Sequence, residues 1–305
     1  MVDIFLPIAR MSVPAFSIIG LGGLVGLLSG MFGVGGGFLM TPLLMMLGIP
    51  PAVAVASDTN QIVAASVSGT LAHGKNKNVD FKLGLIIVTG GLIGGSFGTV
   101  LVRILTAMGN FEVVLKAAYV VMLFVVGTFM FMESLSALNK NNSPSKAGKK
   151  PLASFILNRL PMKTYFAASG IESSAVALLA LGLLTGVLSA LMGVGGGFIM
   201  LPVMIYLIGM PVRNSVGTSA FVVFFTAINV TIAQSVINHT VDIILAMMLL
   251  IGSSAGVQIG ARLGGKLNAV QLRMVFSVVV LLVMLKMIID LVSAPSELIV
   301  PGGGH

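Results

Sequence analysis

Two stretches of this 305-residue chain hold residues whose type and spacing could bind an ion. Ser29 to Pro42 reads SGMFGVGGGFLMTP, with glycine at Gly33, Gly35, Gly36 and Gly37. Ser189 to Pro202 reads SALMGVGGGFIMLP, with glycine at Gly193, Gly195, Gly196 and Gly197. A glycine costs about 1 kcal/mol against alanine inside a helix, so each stretch should interrupt a helix within apolar text. Glycine backbone offers free N–H groups and tolerates positive φ. Half-helices starting near Phe38 and Phe198 would aim their positive ends at one region, and bare amides at helix N-termini hold anions. The expected chemistry is reversible anion binding, with Ser29 and Ser189 on the upstream edges. The same glycines also suit a tight hairpin with close packing. GVGGGF does not match G-x-G-x-x-G, so no dinucleotide fold is implied.

Polar side chains follow each break inside otherwise apolar segments. The first half carries Ser57, Asp58, Thr59, Asn60, Gln61, Ser66 and Ser68; the second carries Thr218, Ser219, Thr226, Asn229, Thr231 and Gln234. Polar clusters at membrane depth face the bundle interior or a water path. Asn60 and Gln61, with Asn229 from the other half, can donate amide N–H groups to an oxyanion without a buried countercharge. Thr59, Thr218 and Ser219 complete this candidate binding set. The alternative is hydrogen-bond glue between helices. Asp58 would repel an anion unless protonated, so it is the expected carrier of a coupling proton; a helix cap near the membrane edge is the other reading. Lys286 and Asp290 form an i,i+4 pair of structural type, and His73 belongs at the interface.

The composition excludes most other chemistry. The chain is 57% hydrophobic and 9% charged, with a mean hydropathy of +1.10. Soluble domains carry about 25% charged residues, so lipid must be the solvent for most of this surface. There is no cysteine, hence no thiol catalysis, and His73, His239 and His305 lack metal-ligand spacing. No metal, cofactor or catalytic group is expected, and no His/Asp/Glu or Ser/Lys constellation supports an intramembrane enzyme. The net charge of +8 lies in short loops between apolar spans, which is the pattern of membrane orientation and not of nucleic-acid binding. With no tryptophan, the interfacial belt would rest on the three tyrosines and the Lys/Arg residues.

The elements that must position these residues are apolar segments near 16–32, 36–48, 52–72, 83–105, 113–133, 174–192, 196–209, 214–237, 241–262 and 270–292. Segments 36–48 and 196–209 fall short of the ~20 residues that span a bilayer and read as half-helices. Residues 1–15 precede the first span, and 134–170, containing NKNNSPSKAGKKP, is a basic polar linker. The repeats cover 16–133 and 171–293, with a tail at 294–305. Gly22 and Gly26 match Gly182 and Gly186, Asp80 matches Asp242, and Gly90, Gly94 and Gly98 match Gly252, Gly256 and Gly260. Glycines four apart make a smooth face for close helix approach, within one chain or in a homodimer.

Charge placement sets the expected orientation. If each broken segment is re-entrant, Lys75, Lys77, Lys82, the basic residues of the linker, Arg213, Arg262, Lys266 and Arg273 share one side. Only Arg10 and Arg103 lie opposite. That asymmetry fits the positive-inside rule better than a continuous crossing does. The expectation is an all-α integral membrane protein of two inverted homologous repeats with a cytoplasmic linker. Each repeat has a glycine-broken re-entrant or discontinuous helix plus three to four transmembrane helices.

These residues resemble the sulfite exporter TauE/SafE family, the TSUP superfamily of anion permeases. The resemblance rests on GLVGLLSGMFGVGGGFLMTPLLMMLGIPP and SVSGTLAHGKNKNVDFKLG in the first half. In the second it rests on GLLTGVLSALMGVGGGFIMLPVMIYLIGMP, VGTSAF and VDIILAMMLLIGSSAGVQIGARLGGKL. SDTNQ stands where many members carry Gly-Thr-Ser-like text, a departure that bears on substrate and not on fold. The resemblance implies a secondary transporter in the bacterial cytoplasmic (inner) membrane, moving sulfite, sulfoacetate, thiosulfate or similar anions. Alternating access, with a proton or ion gradient as the driving force, is the mechanism expected of it. An anion channel, or a transporter of another small ion using Asp58, is the alternative.

Overall fold

In the computed structural model, residues 3–32, 37–75, 78–139, 163–166, 168–264 and 269–292 are described. The same series of elements occurs twice. The first is hairpin β1 (Asp3–Leu6) and β2 (Met11–Pro14), then α1 (Ala15–Phe32), α2 (Gly37–Met46), α3 (Pro51–Lys75), α4 (Phe81–Ala107) and α5 (Phe111–Asn139). The second is hairpin β3 (Lys163–Phe166) and β4 (Ile171–Ser174), then α6 (Ala175–Met192), α7 (Gly197–Pro202), α8 (Val212–Ala233), α9 (Ile243–Gly264) and α10 (Ala269–Val292). Six helices among the described residues are long and apolar enough to cross a membrane. The protein is thus an all-α integral membrane protein, apart from the two hairpins.

Those hairpins are absent from the sequence reading. Both are antiparallel, pairing Leu6 with Met11 and Phe166 with Ile171. Strands of four residues leave too short an alternation to stand out against apolar helices. Leu6 and Phe166 are fully buried while their neighbours Phe5 and Tyr165 are exposed, the period-2 signature of a strand with one packed face. The second hairpin starts at Lys163, within the stretch read as linker.

Each half-helix carries a proline. Pro42 lies inside α2 and Pro202 closes α7, after which Val203–Leu207 continues as a π turn. Proline lacks the N–H for the i→i−4 bond and distorts the turn before it. A second π turn, Gln234–Asn238, extends α8.

The largest helix interfaces join one half to the other: α1 with α9, α4 with α6, α3 with α8, and α5 with α10. Glycines make the first two. A Cβ on Gly22 would lie 2.8 Å from the carbonyl oxygen of Leu249, and Cβ atoms on Gly252, Gly256 and Gly260 would strike the carbonyls of Ile19, Gly23 and Leu27. On α4, Gly90 and Gly94 lie against Leu179 and Leu183, and Gly98 lies against Val187. These smooth faces are filled inside one chain, so a homodimer would use another surface.

Contact order along these pairs gives helix directions. The α9 positions 252, 256 and 260 meet α1 positions 19, 23 and 27, so the two run parallel. By the same ascending order α4 runs parallel to α6. Gly84, Gly91 and Gly95 meet Thr218, Thr226 and Val230, so α4 also runs parallel to α8. With α6 and α8 pointing the same way, the chain doubles back between them through α7 and its π turn. In contrast, α5 and α10 are antiparallel: Gly127 meets Val280 and Leu281, while Lys116 shares a cavity with Lys286 and Asp290.

Candidate functional site

The glycine break of the second half is fully on view. Gly193 ends α6 with φ 74°, and its N–H donates to the Ser189 carbonyl at 2.8 Å. Gly195 and Gly196 follow at φ 68° and 73°, and α7 begins at Gly197. L-residues pay roughly 1–2 kcal/mol in this left-handed region, which explains glycine at these positions. Gly193, Gly195 and Gly196 are buried. Non-helical backbone at membrane depth requires protein or a wet cavity around it.

The tip lies against the first half. A Cβ on Gly193 would sit 2.7 Å from the Val55 carbonyl oxygen and 3.2 Å from the Thr41 hydroxyl. Gly195 fits between Ile62 of α3 and Val223 of α8. Ile62, Val223 and Ala227 form a small buried cluster there. Ile62 and Val223 are matching positions of the two repeats, so the tip occupies the point where the halves cross. Gly37, the first residue of α2, reaches the same place: its Cβ would meet Ile62 and would lie 3.6 Å from Asp58 Oδ1. Gly33, Gly35 and Gly36 lie outside the described residues.

Asp58 is fully buried on α3. Thr41 of α2 donates its hydroxyl to Asp58 Oδ2 at 2.8 Å, and Oδ1 has no hydrogen-bond partner. Gln61 Oε1 and the wholly buried Ser189 hydroxyl also lack partners. A buried polar atom left unpaired costs about 1–3 kcal/mol. Asp58 and Gln61 lie on α3, and Ser189 lies on α6 one turn before Gly193. Tyr119 of α5 adds a hydroxyl that donates to the Met192 carbonyl, directly before Gly193.

The other expected binding residues are placed elsewhere or turned to their own helix. Thr59 donates to the Val55 carbonyl at 2.8 Å and Asn60 to the Ala56 carbonyl at 3.2 Å. Ser219, the positional match of Asp58, donates to the Val216 carbonyl at 3.0 Å. Asn229 ties α8 to α4 through the Leu92 carbonyl at 3.1 Å and the Ser96 hydroxyl at 3.2 Å. Thr218 accepts from the Asp80 N–H at 2.9 Å. Ser29 is half-buried near the end of α1. The structure therefore gathers Gly37, Asp58, Gly193, Gly195 and Gly197 around Thr41, Ile62 and Val223, while Gly196 lies against Thr185. Lys286 and Asp290 form the expected ion pair at 2.7 Å. No group of three or more metal-ligating side chains occurs among the described residues.

Thr41 and Tyr119 were missing from the sequence reading. Thr41 is the one hydroxyl residue between the glycines and Pro42, a legible signal. Tyr119 was assigned to the interfacial belt with the other tyrosines, but it is fully buried. A phenol in an apolar helix can face inward when its O–H finds a partner, and the Met192 carbonyl provides one.

Fold and site together define a multi-pass helical membrane transporter. The family model "Sulfite exporter TauE/SafE" matches residues 18–287, and the chain belongs to that family, one of membrane transporters and not enzymes. Probable membrane transporter protein YunE of Bacillus subtilis is 28% identical over 86% of this chain and 93% of its own length. Probable membrane transporter protein MJ0441 of Methanocaldococcus jannaschii is 25% identical over 90% of this chain and 96% of its own. Sulfite exporter TauE/SafE family protein 5 of Arabidopsis thaliana is 31% identical over 41% of this chain and 25% of its own. The bacterial relatives are consistent with a bacterial inner membrane. No solved structure matches.

Proposed function

We propose that this protein is a secondary transporter of small sulfur-containing anions such as sulfite, sulfoacetate or thiosulfate. It would work by alternating access between two inverted repeats, coupled to protons through Asp58. The observation that carries the reading is the seating of the Gly193–Gly197 tip of one half against Thr41, Val55 and Ile62 of the other. Broken backbone in corresponding places of two halves is the usual location of a midplane transport site.

Several features support the chemistry. Backbone N–H groups of the tip and of the α2 N-terminus supply donors without a fixed cation. A divalent sulfur oxyanion would then bind reversibly, and displace readily on the far side. Among the described residues no cation forms an ion pair with Asp58, so an anion and an ionised Asp58 disfavour each other while a neutral Asp58 does not. That linkage makes proton and anion bind together.

The repeat directions support alternating access. With α1 parallel to α9, and α4 parallel to both α6 and α8, the first helices of the two halves point opposite ways. Each broken segment then enters from a different membrane face, and rocking of one half on the other exposes the same tip alternately.

The test is uptake of labelled sulfite into proteoliposomes, with sulfate, thiosulfate and sulfoacetate as competitors, with and without a proton gradient. Saturable, competitor-sensitive and gradient-dependent uptake is expected. Flux that never saturates and ignores the gradient would instead mark a channel, and no uptake of any of them by folded protein would remove sulfur anions as substrates.

A further inference from the structure

We propose that the cavity between α2, α5 and α10 is a vestibule that takes up a small oxyanion between Lys116 and Lys286, apart from the glycine tip. That the cavity holds an anion stands on its own walls. Its place on a transport path rests on the transporter reading above.

The cavity has a volume of about 280 Å³ and is lined by Pro42, Met45 and Met46 of α2, Lys116 of α5, and Lys286 and Asp290 of α10. Pockets for drug-sized ligands run from about 300 to 1,000 Å³, so this one suits a small ion with some of its water. Both halves build it. Lys116 lies in the second turn of α5 and Lys286 in the last two turns of α10, and the antiparallel packing of these helices brings the two lysines to one end of the bundle.

Each lysine has a carboxylate on its own helix. Lys116 pairs with Glu112 at 2.6 Å and Lys286 with Asp290 at 2.7 Å. An ammonium carries three donors, so one such contact leaves two on each lysine. The Glu112 side chain is half exposed and stands outside the cavity wall, which therefore presents two ammonium groups against one carboxylate. Exposed pairs four residues apart are weak, so an incoming anion can share the ammonium groups at little cost. An oxyanion with three or four oxygens matches these donors, whereas a cation would meet two like charges. Met45 and Met46 add flexible, polarisable wall that adapts to the shape of what enters.

The position leads inward along two lines. Pro42 follows Thr41, whose hydroxyl meets Asp58 at 2.8 Å. Tyr119 stands three residues after Lys116, on the same side of α5, and donates to the Met192 carbonyl next to Gly193. One turn before Pro42, the buried rings of Phe38 and Phe276 meet edge to face at 5.3 Å. They fill the space between α2 and α10 on the side of Gly37. Cavity and tip are thus separate in this conformation, as alternating access requires of a closed side. Since α4 runs parallel to α6, the end of α4 and the start of α5 lie at the end of the bundle opposite the start of α6, and the cavity opens there.

The chain has no cysteine, so Met46→Cys puts a single thiol in the cavity wall at a partly exposed position. In proteoliposomes of neutral phosphatidylcholine, its rates with a negatively and a positively charged methanethiosulfonate reagent are compared, in chloride and in sulfate at equal ionic strength. Sulfate is the probe because sulfite and thiosulfate attack the reagent. The anionic reagent should react faster, and sulfate should slow it severalfold. Adding Lys116→Gln and Lys286→Gln should lower the anionic-to-cationic rate ratio about tenfold, the screened effect of two nearby charges, and abolish the sulfate effect. Lys286→Gln alone, at a half-exposed side chain, should lower the ratio about threefold and serves if the double variant fails to fold. A faster cationic reagent, a ratio unmoved by the lysine changes, or the lack of a sulfate effect overturns the site. Slowing that needs added phosphatidylglycerol, with none from sulfate, would assign the lysines to a lipid headgroup and equally overturns the vestibule. Neither readout needs transport. Sulfate protection without uptake of any sulfur anion keeps the site and removes the transport reading; saturable uptake without protection does the reverse.

Discussion

Asp80 and Asp242 hold the same post in opposite halves, and each is gripped by the other half's hairpin. Asp80 Oδ1 caps α4 by accepting from the Leu83 N–H at 3.0 Å, while Oδ2 accepts from the Ser169 hydroxyl at 2.6 Å. Asp242 Oδ1 accepts from the Leu245 N–H at 3.1 Å and Oδ2 from the Ile8 N–H at 3.0 Å. Their own N–H groups are received by Thr218 and Ser57. Each half therefore fastens the first turn of its partner's fourth helix. We expect Asp80→Ala and Asp242→Ala each to lose about 1–2 kcal/mol from the cap and about 1–3 kcal/mol more from the buried donor left behind. Thermal unfolding in detergent measures this, and a melting temperature unchanged in both would contradict the arrangement.

The glycine tip makes a sharper demand. Gly193→Ala places a Cβ 2.7 Å from the Val55 carbonyl oxygen at a φ of 74°. Strain of about 1–2 kcal/mol from the backbone and about 1–3 kcal/mol from overpacking should follow, with loss of uptake. Gly20→Ala is the control, since nothing lies within 4 Å of its Cβ position; it should gain up to about 1 kcal/mol of helix propensity. Equal melting temperatures for the two variants would remove the special role of Gly193.

How much of this was legible follows from what each signal depends on. The breaks and the repeats depend on local composition and periodicity, so the text of the chain carries them, whereas Asp58 could be read as buried or as a cap at the membrane edge until its surroundings were seen. The grouping of Thr41 with Asp58 and Tyr119 depends on how α2, α3 and α5 meet, which no single segment encodes. Asn60 illustrates the limit: an amide looks like an anion donor in sequence, but on a helix it can return its N–H to the Ala56 carbonyl, and it does. Asn229 likewise found partners on α4 before any ligand. The hairpins were missed because four residues give only two periods of alternation.

The interface glycines allow a further test. A Cβ on Gly256 would strike the Gly23 carbonyl, and backbone cannot move aside as a flexible side chain can. Gly256→Leu should force α1 and α9 apart and cost about 1–3 kcal/mol, read as lost folded yield. Gly94→Leu, against Leu183 on the matching interface, should behave alike. Size-exclusion profiles of the two variants matching the unmodified protein at equal yield would show the faces to be loosely packed.

Inversion of the repeats has a direct chemical test, because the chain has no cysteine and single cysteines need no background removal. Phe5 and Tyr165 occupy matching positions in the two hairpins and are each 59% exposed. The hairpins lie at the starts of α1 and α6. Since α6 runs parallel to α4 and α8 while α1 runs parallel to α9, those starts should face opposite sides of the bilayer. The positive-inside rule predicts a cytoplasmic second hairpin, next to the basic linker. In right-side-out vesicles a membrane-impermeant maleimide should therefore label Phe5→Cys at once and Tyr165→Cys only after lysis, with the order reversed in inverted vesicles. Labelling of both from one side would mean that the halves share an orientation, and a rocking mechanism built on two opposed re-entrant segments would have to be abandoned.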